Sequence, residues 1–225
     1  MLIGPSDFFF DVDKSEEQLE DNDPNYYLYE TTGTVFNLDD NLRRSVAGRF
    51  KLYYADICAA VNAEASVYDI FDSHSTTVDY FDAVFDPDTF GFSERLSKLF
   101  NGDDAFGNVL IIDRLEILPK YRSLNLGLVV MRRLIERFGA GAAVIAIKPF
   151  PLQCEAVGHQ PDKWRDSLEL SGFDRQRRTA TAKLRRHYAK LGFKAMKGTP
   201  FMFRQTSHAL PIAADLVRRY LLKPG

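Results

Sequence analysis

Residues 108–118 (NVLIIDRLEIL) alternate as a half-buried strand does, with Ile111, Asp113, Leu115 and Ile117 on one face and their neighbours on the other. Pro119 stops the ladder, because it has no N–H to give to a neighbouring strand. Residues 126–138 (LGLVVMRRLIERF) then switch to the helical period, with Arg132, Arg133, Glu136 and Arg137 mostly outward and Gly139 as terminator. Residues 142–147 are a short continuous apolar run, the mark of a buried strand. Strand, turn, helix and strand in this order leave few folds open. They also place a turn, PKYRSLNLG at 119–127, where a helix begins. The first N–H groups of a helix have no partner within it, and its dipole adds positive potential, so this turn is an anion site suited to a pyrophosphate. Arg122 can add a charged fork there.

The rest of the chain supplies a second group of strands and some short helices. Residues 1–25 read as an acidic extension, with 11–25 an exposed loop or short helix ending in Asp-Pro-Asn. Aromatic and β-branched residues make 26–36 a first strand, and 49–61 with 65–70 a second strand and its continuation or partner. Ser75, Thr76 and Thr77 precede Val78, Tyr80, Phe81, Val84 and Phe85 at helical spacing, and Ser93 caps a further helix that ends at Asn101-Gly102. Residues 149–180, broken by Pro149, Pro151 and Pro161, form an insertion. A basic amphipathic helix at 181–191, strands at 193–197 and 201–205 and a last helix at 212–222 complete the chain. With 225 residues and 45% hydrophobic positions, a single domain can bury a sizeable core.

Several function classes are not expected. No apolar run approaches a membrane span, and the first ten residues lack the basic region and cleavage site of a secretory signal, so a cytoplasmic chain away from membranes is predicted. The two cysteines, Cys58 and Cys154, read as packing residues, and the four histidines are too scattered for a metal site. The formal charge of -2 conceals an asymmetry: acids crowd residues 7–40, and bases crowd residues 175–204. Such ends read either as an acidic lip for a cationic acceptor and a basic face for phosphate, or as ordinary solvated surface.

The turn Arg122-Ser123-Leu124-Asn125-Leu126-Gly127, followed by His187-Tyr188-Ala189-Lys190-Leu191-Gly192-Phe193, resembles the GNAT superfamily of acyl-CoA-dependent N-acyltransferases. The superfamily signature is Arg or Gln, two residues, Gly, one residue, then Gly or Ala, and later a tyrosine shortly before Gly-Phe. Asn125 stands where glycine is usual, and asparagine is the residue that best tolerates a positive φ after glycine. The resemblance covers roughly residues 108–203. It implies an α+β fold with a mixed, mostly antiparallel central sheet flanked by helices, whose fourth and fifth strands splay apart around the thioester of acetyl-CoA. In the family, two helices usually lie between the first and second strands, whereas here the recognisable early helices follow both.

The resemblance also assigns roles. Tyr188 becomes the general acid beside the CoA sulfur, although a helix tyrosine can equally pack in a core. Asp113 matches the position of a carboxylate base in several amine acetyltransferases, with Glu116 as the other carboxylate on the strand. Asp113 should share a face with Leu115 and Ile117 unless a bulge intervenes, and either carboxylate can instead pair with Arg114. Acetyl-CoA contacts fall to Leu115, Ile117 and Leu118 on the strand, to Arg122, Ser123, Leu124 and Asn125 in the turn, and to Leu126, Gly127 and Leu128 on the helix. The N–H near Ile117 would hold the oxyanion. Thr181 replaces an asparagine that contacts the pantetheine arm, while Lys183, Arg185 and Arg186 either meet adenosine phosphates or are solvated. Three functions emerge as expectations: acetylation of a primary amine on a small molecule or protein, acetylation of aminoacyl-tRNA as in toxin-type members, or acyl-CoA sensing without turnover. A homodimer is a further expectation, since Tyr26, Tyr27 and residues 8–10 suit an interface as well as a core.

Overall fold

Alternating aromatic and β-branched residues build an antiparallel meander from β1 (Phe8–Glu16), β2 (Leu28–Leu38) and β3 (Arg44–Ala55). The structure, a computed structural model, describes residues 8–16, 19–20, 23–102, 106–122, 125–156 and 162–216. β4 (Asn108–Ile117) lies antiparallel to β3 and parallel to β5 (Ala142–Ile147). β7 (Met202–Gln205) follows β5, and β6 (Lys194–Ala195) closes the far edge, giving seven strands in the order β1-β2-β3-β4-β5-β7-β6. The fold is α+β with an open, mostly antiparallel sheet. Its one parallel pair, β4 with β5, is bridged by α7 (Leu126–Phe138), the kind of crossover that parallel strands require.

Each face of the sheet carries its own core. Five short helices between β3 and β4 cover one face: α1 (Ile57–Asn62), α2 (Val67–Asp72), α3 (Ser75–Val78), α4 (Phe81–Val84) and α5 (Glu94–Leu99). They bury Ile57, Ile70, Phe71 and Phe85 against Tyr53, Ile111 and Phe203 of the sheet. α7 covers the other face, where Leu128, Leu134 and Ile135 meet Leu52, Leu110 and Ile145. Leu134 is 0% exposed. Leu134→Ala is expected to cost about 2–5 kcal/mol, read as a lower urea midpoint at unchanged m-value, because it removes apolar contact and leaves a cavity.

Further helices are α6 (Pro119–Arg122), α8 (Lys163–Ser167), α9 (Arg177–Ala189) and α10 (Ala213–Leu216). The part of the expected last helix beyond Leu216 lies outside the described residues. Among the described residues, no helix is long and apolar enough to cross a membrane.

Four local expectations need correction. Residues 11–16 belong to a strand rather than a loop, because Phe9 stacks on Phe36 and Phe10 meets Phe50, each at 5.4 Å, while the acids occupy the exposed sheet edge. The second strand stops at Ala55, and α1 and α2 replace its continuation. Their caps decide this: Asp56 accepts from Ala59 N (3.1 Å) and Ser66 from Asp69 N (3.3 Å). The helix expected over Val78 to Phe85 is instead the two single turns α3 and α4. Cys58 is exposed and so is no packing residue. Tyr27, by contrast, is buried, and Phe8 and Phe10 pack on Tyr121 and Phe138, so these aromatics serve the core.

Candidate active site

β4 outruns its parallel partner. The two strands pair from Asn108↔Ala142 to Ile112↔Ile147, where β5 ends, while β4 continues to Ile117. A cleft of about 750 Å³ opens in the gap, with Asp113, Leu115 and Ile117 on its strand wall and Gly127 and Met131 of α7 beside them. α9 supplies Leu184, His187 and Tyr188, the early helices supply Tyr80, and the insertion supplies Phe150 and Phe173.

A bulge sets the orientation of the carboxylates. Lys51 stands opposite Arg114 and Leu52 opposite Ile112, which leaves Asp113 as the extra residue of β4. Simple alternation is broken: Leu115 and Ile117 pack with the α7 core, whereas Asp113 lies among Lys51, Arg114, Glu30 and Tyr80. Burial pushes the Asp113 carboxyl above the usual carboxylate range, and Lys51 and Arg114 pull against that. Among the described residues it has no hydrogen-bond partner.

Glu116 is engaged elsewhere. It is buried, takes Arg114 Nη1 at 2.9 Å and accepts the Trp164 indole N–H at 2.5 Å. Arg114 also pairs with Glu155, and Glu155 takes Arg165 at 2.6 Å, so this network ties the insertion to β4. A carboxylate held on two sides is a strut, not a free base.

Asn125 adopts φ 55°, the left-handed conformation that asparagine tolerates, and its carbonyl takes the N–H of Leu128 (2.9 Å). The N–H groups of Leu126 and Gly127 have no backbone partner among the described residues. A Cβ on Gly127 would lie 3.7 Å from Ile117 Cγ1, ordinary contact, with nothing nearer. Neither φ nor packing against the protein therefore demands glycine here; what a side chain would fill is the cleft. Ser123 and Leu124 lie outside the described residues. Leu126 and Leu128 are buried in the α7 core and Leu118 packs against it, so none of the three lines the cleft.

Arg122 is positioned differently from a free phosphate fork. Its Nε donates to Ile117 O at 2.7 Å and its Nη2 to Leu168 O at 2.6 Å, and the guanidinium lies 5.0 Å above the Phe173 ring. The first bond secures the edge that β5 has left, and the second ties it to the insertion. Leu118 N–H bonds back to Ala47 O of β3 at 2.9 Å, so alternation turns the Ile117 N–H toward the open edge and the cleft.

α9 faces the cleft through Ala180, Lys183, Leu184, His187 and Tyr188, spaced as one helical face. Thr181 falls one residue round the helix from that face and is not brought to the cleft. The Tyr188 ring is 6.5 Å from Phe193, and its hydroxyl has no hydrogen-bond partner among the described residues. Burial pushes that hydroxyl up to about 12. His187 is pulled below its ordinary value by burial and by Lys190, which leaves it neutral near pH 7.

No protein-family model, curated protein or solved structure matches the chain. What the site can do therefore rests on its own geometry. The cleft holds a carboxylate that burial has made more basic and a phenol that burial has made a firmer proton holder. The first N–H groups of α7 lie at one end, where that helix begins. This set can accept a proton, donate one and hold an anion.

Sequence reading missed Tyr80, which is 1% exposed, packs with its ring tilted at 4.4 Å from that of Phe201 and lines the cleft between Asp113 and Tyr188. Its helical spacing with Phe81 and Val84 gave it the look of a core residue. Lys51 was missed as well; its pairing with Glu30 at 2.9 Å depends on strand register that spacing alone does not give.

Proposed function

We propose that this chain is an N-acyltransferase of GNAT-like fold that moves an acyl group, acetyl in the simplest case, from acyl-CoA to a primary amine. The observation that carries the reading is the cleft between the parted strands, with Asp113 and Tyr188 on its walls and Gly127 open at its end. The placement of α1 to α5 between β3 and β4, rather than between the first two strands, departs from the family's usual arrangement and bears on the acceptor side of the cleft.

The pyrophosphate would lie on the N–H groups of Leu126 and Gly127, and the apolar arm against Ile117, Met131 and Leu184. Acetyl-CoA, when bound, supplies an activated carbonyl and a thiolate leaving group. Asp113 would take one proton from the bound ammonium to free the amine for attack, the Ile117 N–H would meet the developing oxyanion, and Tyr188 would protonate the sulfur as the C–S bond breaks and recover a proton from the nitrogen as the amide is completed. Calorimetric titration with acetyl-CoA, followed by thiol release against a panel of amines, peptides and aminoacylated RNA, tests this. The expected result is binding with turnover on one class; absence of binding would overturn the reading.

Asp113 also gives a pH test. The base works only when ionised, so the rate should fall as pH drops through a pKa above the ordinary carboxylate value of about 3.9. Asp113→Asn should lower the rate at neutral pH and remove this acid limb, whereas Glu116→Gln should leave the limb in place. Stability should move the other way. A carboxyl whose folded pKa is raised is destabilising above that pKa and neutral below its unfolded value, so Asp113→Asn should raise Tm at pH 7, with the gain vanishing in acid.

A further inference from the structure

Three neighbouring strands bring a group of ionisable side chains to the face of the sheet that the early helices cover. Glu30 of β2 stands opposite Tyr53 of β3, and Lys51 lies two residues before Tyr53, so all three project to one face. Tyr53 belongs to the core beneath α1 to α5, which identifies that face. On β4 the bulge completes the group. Ile112 and Leu115 both pack with the α7 core, so Asp113 and Arg114, the two residues between them, turn to the opposite face, with Lys51 as their common neighbour on β3.

The two cations of this group are not equivalent. Arg114 is bound by two carboxylates, Glu116 at 2.9 Å and Glu155. Lys51 has one ion-pair partner among the described residues, Glu30 at 2.9 Å, and its ammonium lies 4.9 Å from the centroid of the Tyr53 ring, whose hydroxyl bonds to the same pair. An ammonium has three donors, so Glu30 and Tyr53 leave one unspent beside β4. The lysine and glutamate side chains are 31% and 16% exposed, and solvent and salt therefore screen them only in part. The other groups around Asp113 are Glu155 of the insertion and Tyr80 at the start of α4. Further along the cleft wall are Asp79, paired with Lys148 at 2.6 Å, and His187 and Tyr188 of α9. His74 stands behind Tyr53, at 5.3 Å between rings, and acts on Glu30.

We propose that Lys51 is a positioning residue for Asp113 and that Glu30 controls it. The lysine charge favours an ionised carboxylate on the cleft wall. The glutamate holds the lysine back, so that it does not close on Asp113 as a hydrogen-bonded pair and quench it as a proton acceptor. The use of Asp113 as a base rests on the acyltransferase reading; the coupling of the three side chains does not.

Carboxyl-carbon NMR of the full chain, with the Asp113 signal assigned by its loss in Asp113→Asn, reads the coupling without any turnover. Lys51→Gln removes the positive neighbour, so the Asp113 midpoint should rise by about one pH unit or more. Glu30→Gln removes a negative charge and frees the lysine for Asp113, so the midpoint should fall by about as much. Lys51→Arg keeps the charge and should restore most of the parent midpoint. A pair that merely joined β2 to β3 would lower Tm in both glutamine variants without moving the midpoint in opposite directions. Midpoints that stay put, or that shift with the same sign, would overturn the proposal. The pH profile of thiol release then separates it from the reading of the site. An acid limb that follows the midpoint in each variant supports both; a limb that stays while the midpoints move upholds the coupling and removes Asp113 as the base.

Discussion

Tyr188→Phe is expected to lower turnover by roughly 10- to 1000-fold while acetyl-CoA affinity stays nearly unchanged. The ring remains, so its packing against Phe193 and the surrounding core survives, and only the hydroxyl is lost. With its pKa pushed up to about 12, that hydroxyl keeps its proton throughout the working range. The size of the loss discriminates between two modes of action. A hydrogen bond donated to a developing thiolate is worth about 1.5–3 kcal/mol, or roughly 10- to 150-fold in rate. Full proton transfer contributes up to about 10⁴-fold. Because a thiol of ordinary pKa near 8.5 is a stronger acid than this phenol, the lower part of the range is favoured, unless the cleft raises the thiol in the same way. Steady-state kinetics with an independent affinity measurement check both halves, and unchanged turnover would remove Tyr188 from the chemistry.

The sequence was most informative where one physical signal dominated. The helical period of residues 126–138 and the apolar run of 142–147 match α7 and β5 in their bounds, and Ser93 caps α5 by accepting from Leu96 N, as its position predicts. Legibility failed where signals competed. Asp11 and Asp13 made β1 look like a loop, yet an edge strand can carry charge on its exposed side, with Asp11 paired to Arg44 at 3.1 Å. The β-branched and aromatic residues after Ala55 outweighed Asp56 and Ser66 in the reading, although a single cap bond can start a helix even where the next residues favour a strand. The basic helix begins at Arg177 rather than 181, because arginine and alanine continue a helix without leaving a periodic signal of their own.

The site divides along the same line. The family resemblance led to Asp113, Gly127 and Tyr188, which the fold gathers around one cleft. It could not reveal the bulge at Asp113, since a bulge arises from pairing between strands and leaves no mark on a single strand's alternation. Nor could it show that Arg122 spends two donors on main-chain carbonyls, or that Glu116 is held by Trp164 and Arg114. Those facts depend on where the insertion folds back, which is tertiary information. Thr181 illustrates the smaller error: one residue of helical phase separates it from Ala180, which does face the cleft.

Gly127→Glu is expected to weaken acetyl-CoA binding at least about 100-fold while the protein still folds. Two costs coincide at this position. A side chain would enter the space beside the first N–H groups of α7, and its carboxylate would occupy the ground where a helix N-terminus favours a bound anion. Folding should tolerate the change, because the nearest atom to an added Cβ is Ile117 Cγ1 at 3.7 Å and the position has no positive φ to strain. An acid in the first turn of α7 is even favourable to the helix itself, by about 0.3–1 kcal/mol. Gly127→Ala separates the two costs, since it adds bulk without charge and should weaken binding far less. Calorimetry of both variants, alongside their thermal unfolding, reads the result. If the glutamate variant is stable and still binds acetyl-CoA as the parent chain does, then the pyrophosphate does not lie on this turn, and the anion-site argument for the cleft between β4 and β5 falls.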